Sequence, residues 1–158
     1  MPAKPAKANK RPARHPIVDD LQASLAELID LSLIGKQAHW NVVGPNFRSI
    51  HLQLDEIVDT ARLSSDRVAE RIATLRAVPE GRAAAVAATS GLPAFPDGQV
   101  PVEKTVKQIG ATIDAMAGRM RERMQRVGAS DPVSQDILIE ASDQLEKQAW
   151  MLRAQLES

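Results

Sequence analysis

A chain of 158 residues with 44% apolar and 25% charged residues has the make-up of a globular domain and is long enough for one hydrophobic core. Cysteine is absent, which excludes disulfides, thiolate zinc sites and iron–sulfur clusters, and no apolar run approaches the roughly 20 residues of a membrane span. The 20 bases and 20 acids cancel, but residues 1–16 hold Lys4, Lys7, Lys10, Arg11 and Arg14 and no acid, leaving 15 bases against 20 acids in the remainder.

Pro2, Pro5, Pro12 and Pro16 interrupt the first 16 residues, among alanines and cations, so this segment reads as a flexible basic arm with little to bury. It lacks the apolar stretch of a secretory signal, and the expected location is the cytoplasm. From Ile17 the pattern turns helical: Val18, Leu21, Leu25, Leu28 and Ser32 recur at spacings of three and four until Gly44 and Pro45 break the chain. A second helix is predicted from Phe47, with Asn46 as its N-cap, to Val78 before Pro79. Its apolar stripe is Phe47, Ile50, Leu54, Ile57, Ala61, Val68, Ile72 and Leu75.

Residues 79–100 are rich in proline and glycine around an AAAVAA stretch suited to a short helix. That connection is long enough to cross the length of a bundle. A third helix follows from about Pro101, with Val102, Val106, Ile109, Ile113, Met116, Met120 and Met124 inward, and ends at Gly128. The fourth starts near Asp131 and Pro132, with Val133, Ile137, Ala141, Leu145, Leu152 and Leu156 inward. The three methionines follow the apolar period, so they are core rather than haem ligands, and no haem is expected. Four amphipathic helices with a crossover between the second and third define an all-α, ferritin-like bundle over residues 17–158.

The second helix sets His51 and Asp55 one turn apart, then Asp66 and Glu70 one turn apart, on an arc of roughly 100° turned away from the apolar stripe. The two pairs are centred roughly 22 Å apart along the axis, too far to share a metal ion within one chain. A two-fold axis near Thr60 and Ala61, with the helices antiparallel, brings His51 and Asp55 of one copy to Glu70 and Asp66 of the other and makes two equivalent sites. His39, before the turn, is placed to complete the half-site. Imidazole with carboxylates suits iron better than magnesium.

The stretch KQAHWNVVGPNFRSIHLQLDEIVDTARLSSDRVAERI resembles the starvation-induced DNA-binding ferritin-like family, Dps. Its signature positions fall on His39, His51, Asp55, Asp66 and Glu70, with Trp40, Phe47 and the closing SQDILIEASDQLEKQAWMLRAQL also fitting, so the resemblance spans about residues 17–156. The resemblance implies a dodecameric shell of tetrahedral symmetry, intersubunit di-iron ferroxidase sites, oxidation of Fe(II) by hydrogen peroxide, and a stored ferric oxide core. Classical ferritins use Glu-x-x-His pairs within one bundle, and this chain has none.

Each feature has a plainer alternative. The plainer reading of the five candidate ligands is a set of solvated helix charges, but they include two of only three histidines, which favours metal. His15, beside Pro16, reads as solvated. Trp40 either shields the metal site, as the resemblance suggests, or is an interface aromatic. Asp136 matches a position lining a three-fold pore in the family, whereas Asp131 and Glu140 read as solvated acids near a helix start. The arm either contacts DNA phosphates without reading sequence, which would associate the protein with the nucleoid, or is a solubilising tail. A DNA-compacting shell without oxidase activity and a structural zinc cage remain as alternatives.

Overall fold

The computed structural model describes residues 17–156. Five α-helices account for most of them: α1 (Val18–Asn41), α2 (Phe47–Thr74), α3 (Ala83–Thr89), α4 (Val102–Gly128) and α5 (Pro132–Ala154). Helix α1 packs along α2 and α4 along α5, with α2 against α5 closing a four-helix bundle, while the short α3 lies on α1. Gly35 sets the spacing of the first pair, since a Cβ there would stand 2.8 Å from Val58 Cγ2. No helix among the described residues is long and apolar enough to cross a membrane.

The predicted stripes form the core. Leu21, Leu28, Ile50, Leu54, Ile57, Ile109, Ile113, Met116 and Met120 are fully buried, and Ser32 is buried with its hydroxyl donating to the Ile29 carbonyl at 2.7 Å. Three residues placed inward by the pattern face outward instead: Phe47, Val133 and Leu156. Phe47 and Val133 lie in the first turns of their helices, at the rim of the bundle, and Leu156 lies past the end of α5.

The crossover runs the length of the bundle along α1. Gln22 is tied to Glu80 by two bonds, side-chain Nε2 to the carbonyl at 2.7 Å and backbone N–H to Oε1 at 2.9 Å. Farther along, Ser90 Oγ donates to Asp30 Oδ2 at 2.5 Å. At the far end a two-residue parallel pairing joins β1 (Val42–Val43) to β2 (Val100–Pro101), pinning the α1–α2 turn to the start of α4.

Two helix ends differ from expectation. Helix α2 stops at Thr74, four residues before Val78. Arg76 adopts a left-handed φ of 60°, its N–H bonds the Ala73 carbonyl at 2.9 Å, and the Ala77 N–H bonds the Ile72 carbonyl at 3.1 Å. This is the Schellman pattern with arginine where glycine is usual, which is why no glycine flagged it. Asn46 does precede α2, but with a φ of 59° and no side-chain cap bond.

Asp131 is not a solvated acid. It is buried at the N-cap of α5, bonds Arg71 Nη2 of α2 at 2.6 Å and accepts the Ser134 hydroxyl at 2.6 Å; Arg71 Nε donates to the same hydroxyl at 2.8 Å. Burial pushes the carboxyl up, but the bonds from Arg71 and Ser134 outweigh it and hold it at about 2. A depressed carboxyl stabilises the fold above its unfolded value of 3.8, and that stability is lost as pH falls toward about 2. Asp131→Ala is therefore expected to lower unfolding free energy by roughly 3 kcal/mol at neutral pH, with the deficit shrinking below about pH 4, as read by urea unfolding at several pH values.

Candidate metal centre

The last turn of α1 and the first turns of α2 lie side by side because the Gly44–Asn46 turn between them is short and tied back by the Phe47 N–H to Gly44 carbonyl bond at 3.1 Å. His39, buried, and His51, half-buried, therefore stack with ring centroids 3.6 Å apart and planes 23° from parallel. The stack is held reciprocally. His39 Nδ1 lies 2.8 Å from the His51 carbonyl, and His51 Nδ1 lies 2.9 Å from the His39 carbonyl. A carbonyl only accepts, so each Nδ1 carries the hydrogen and each Nε2 of the neutral ring keeps its lone pair for a metal ion. Phe47 packs edge-on to His51 at 6.1 Å.

Asp55, one turn beyond His51, places Oδ1 3.3 Å from His39 Nδ1 and pairs closely with the Lys36 ammonium. That hydrogen bond from Lys36 is the main reason the Asp55 carboxyl is held below its ordinary value, with the two histidines adding to the effect. Lys36 was not singled out from the sequence, although it precedes His39 by one helical turn and so shares its face.

Asp66 and Glu70 are exposed farther along α2. Asp66 edges a groove of about 340 Å³ between α1, α2 and the crossover, and Glu70 edges a separate depression beside Arg67, Thr74 and Val133. The structure thus brings His39, His51 and Asp55 together and leaves Asp66 and Glu70 apart from them. No group of three or more histidines and acids among the described residues stands close enough to hold a metal ion.

Trp40, next to His39, is 69% exposed. Asp136 is exposed near the start of α5, and Glu140 pairs with Arg67. Lys4, Lys7, Lys10, Arg11, Arg14 and His15 lie outside the described residues.

A second feature escaped the sequence pattern. Glu27 is buried on α1 and is gripped by two arginines of α4: Arg123 at 2.7 and 3.0 Å through both terminal nitrogens, and Arg119 Nε at 2.7 Å. The available signal was that α1 is apolar nearly all round, so an acid within it needs a cationic partner.

A four-helix bundle with one long crossover between α2 and α4 and a histidine–carboxylate cluster at the first inter-helix turn defines a ferritin-like protein, and the Ferritin-like domain profile matches residues 18–158. The "DNA protection during starvation protein" of Mycolicibacterium smegmatis is 36% identical over 142 residues, covering 90% of this chain and 78% of the relative. The "Fine tangled pili major subunit" of Haemophilus ducreyi is 38% identical over 144 residues, covering 91% and 76%. Among solved structures, Dps from Microbacterium arborescens in its high iron form superposes with a TM-score of 0.84 at 31% identity, covering 93% of this chain and 97% of that one. The chain belongs to the Dps family of ferritin-like proteins.

Proposed function

We propose that this protein is a Dps-type iron-storage and detoxification ferroxidase. It oxidises Fe(II) with hydrogen peroxide at sites shared by two subunits and stores ferric oxide inside a dodecameric shell. The observation that carries this reading is the half-site of His39, His51 and Asp55, whose Nδ1 hydrogens are spent on backbone carbonyls.

The stacking bears on the number of ions. An imidazole binds a metal in its own ring plane, about 2 Å from the nitrogen. Two planes 3.6 Å apart and tilted by 23° do not meet within that reach, so the two rings serve two ions. Paired metals typically lie about 3.5–4 Å apart, which matches this ring spacing. Asp66 and Glu70 of the partner subunit would supply the remaining carboxylates across the two-fold axis.

The exposed Leu33, Trp40, Leu52 and Leu63 on α1 and α2 are apolar surface such an interface would cover. Two Fe(II) ions each give one electron, the pair cleaves the O–O bond of one peroxide, and with two further waters two FeO(OH) units form and four protons leave. Both ingredients of hydroxyl-radical chemistry are removed together.

In this reading the protein works in the cytoplasm. The basic arm carrying Lys4, Lys7, Lys10, Arg11 and Arg14 holds DNA phosphates without reading bases, and copies of the arm on one particle supply avidity and association with the nucleoid. Asp136 lines a three-fold pore where an acidic funnel concentrates cations.

One observation favours a second reading. Lys36 already satisfies Asp55, as it would in a DNA-compacting shell whose carboxylates are interface charges. Mixing the assembled protein with Fe(II) and peroxide and following ferric absorbance separates the two. A fast phase saturating at two ions per site supports the ferroxidase, and absorbance no faster than in buffer supports the inert shell.

A further inference from the structure

We infer that Gly35 is the positioning residue of the metal half-site: by letting α1 and α2 approach closely, it fixes the spacing of the His39 and His51 rings and so of the two ions they would hold. The inference rests on the proposed ferroxidase reading and deepens it by naming what sets the geometry. Glycine is the poorest helix former after proline, yet Gly35 lies well inside α1, one turn before His39.

A Cβ on Gly35 would stand 2.8 Å from Val58 Cγ2 and 3.9 Å from the Leu54 carbonyl oxygen, both on α2. Carbon atoms pack at about 3.5–4.0 Å, so one added methyl asks for roughly 1 Å more room. Val58 is fully buried and branched at Cβ, so its methyl has little freedom to retreat and the helices themselves must part. The glycines inside α4 differ, since at Gly110 and Gly118 no neighbouring element comes within 4 Å of the place a Cβ would take.

The half-site is sensitive to that gap because its contacts span it. His39 lies about 6 Å beyond Gly35 along α1, and Asp55 about 4.5 Å before Val58 along α2, so the close approach is next door. The bonds from His39 Nδ1 to the His51 carbonyl at 2.8 Å and from His51 Nδ1 to the His39 carbonyl at 2.9 Å both run from one helix to the other. Adding about 1 Å to each would stretch them to about 3.8 and 3.9 Å, past hydrogen-bond length. Each ring would then lose the bond that fixes its tautomer and presents Nε2 to a metal ion. The 3.6 Å spacing of the rings would go with them.

Full-length protein, assembled and free of metal, tests the geometry first. In a His15→Gln background the two stacked residues are the only histidines. Ring-nitrogen NMR is expected to show two slowly exchanging Nδ1 hydrogens when Gly35 is present and fast exchange in Gly35→Ala. Anaerobic calorimetry with Fe(II) should show Gly35→Ala binding about 10–100-fold more weakly, the usual cost of losing a ligand's orienting bond. Adding Val58→Ala returns the space and should recover slow exchange and most of the affinity, whereas Gly118→Ala alone should change neither. Gly35→Ala with protected rings and undiminished affinity would overturn the inference and leave the ferroxidase reading standing. If protein with Gly35 takes up no Fe(II) while the exchange pattern holds, the ferroxidase reading falls and Gly35 keeps its role in setting the imidazole pair. If Gly35→Ala alone does not assemble, the variant with Val58→Ala decides: protected rings and recovered binding support the inference, and exchanging rings overturn it.

Discussion

Replacing His51 and Asp55 together with alanine is expected to abolish the fast phase of Fe(II) oxidation by peroxide, a loss of roughly 100-fold or more in initial rate. Removing even a supporting partner of a metal ligand costs about 10–100-fold, and this change removes two ligands from one half-site. The fold should survive, because both side chains reach the surface and neither belongs to the apolar core. Stopped-flow ferric absorbance, with circular dichroism and particle size as controls, makes the comparison. Asp66→Ala with Glu70→Ala should cost as much, although those residues stand far from the histidines in their own chain. A variant of either half retaining the rate would place the chemistry elsewhere.

The largest effect on stability is expected at Glu27. Its carboxylate is buried and receives three bonds of 3.0 Å or less from Arg119 and Arg123, and Arg123 Nη1 also approaches Ser24 Oγ at 3.4 Å. Arg119 Nη2 is already buried without a partner, so the cluster has no spare acceptor to offer a second stranded donor. Glu27→Ala should therefore destabilise the protein by roughly 3–5 kcal/mol, the cost of leaving a buried charge uncompensated. Replacing Glu27, Arg119 and Arg123 together by methionine should recover most of that, because apolar packing substitutes well for a buried charge cluster whose desolvation nearly cancels its attraction. Urea unfolding of the two variants at matched protein concentration tests the ordering. Equal losses would mean the arginines find other partners.

Much of the fold was legible because it rests on one-dimensional periodicity. The stripes from Val18, Ile50, Val106 and Ala141 onward predicted which helix faces are buried, and AAAVAA predicted α3. The pattern fails at helix ends, where the bundle core runs out: Phe47, Val133 and Leu156 keep the period but stay exposed. Helix α2 was drawn four residues too long because Arg76 takes a backbone conformation usually left to glycine.

At the site, the spacing of His39, His51 and Asp55 foretold their convergence, since one short turn brings the two helix ends together. It did not foretell the reciprocal carbonyl bonds or Lys36 on Asp55, which depend on how α1 lies against α2. The Asp131–Arg71 link joins residues 60 apart in sequence and the Glu27–Arg123 pair residues 96 apart, and periodicity carries no information on which distant charges meet.

Whether one active site is built from two chains is tested most directly by mixing two inactive proteins. One carries His51→Ala and Asp55→Ala, the other Asp66→Ala and Glu70→Ala. In a mixed two-fold pair, one site receives both damaged halves and the other receives both intact halves. Co-assembly from equal amounts of dissociated subunits should thus restore fast peroxide-driven oxidation to about a quarter of the wild-type sites, since about half the pairs are mixed and each has one good site of two. Mixed particles as inactive as their parents would contradict the shared site.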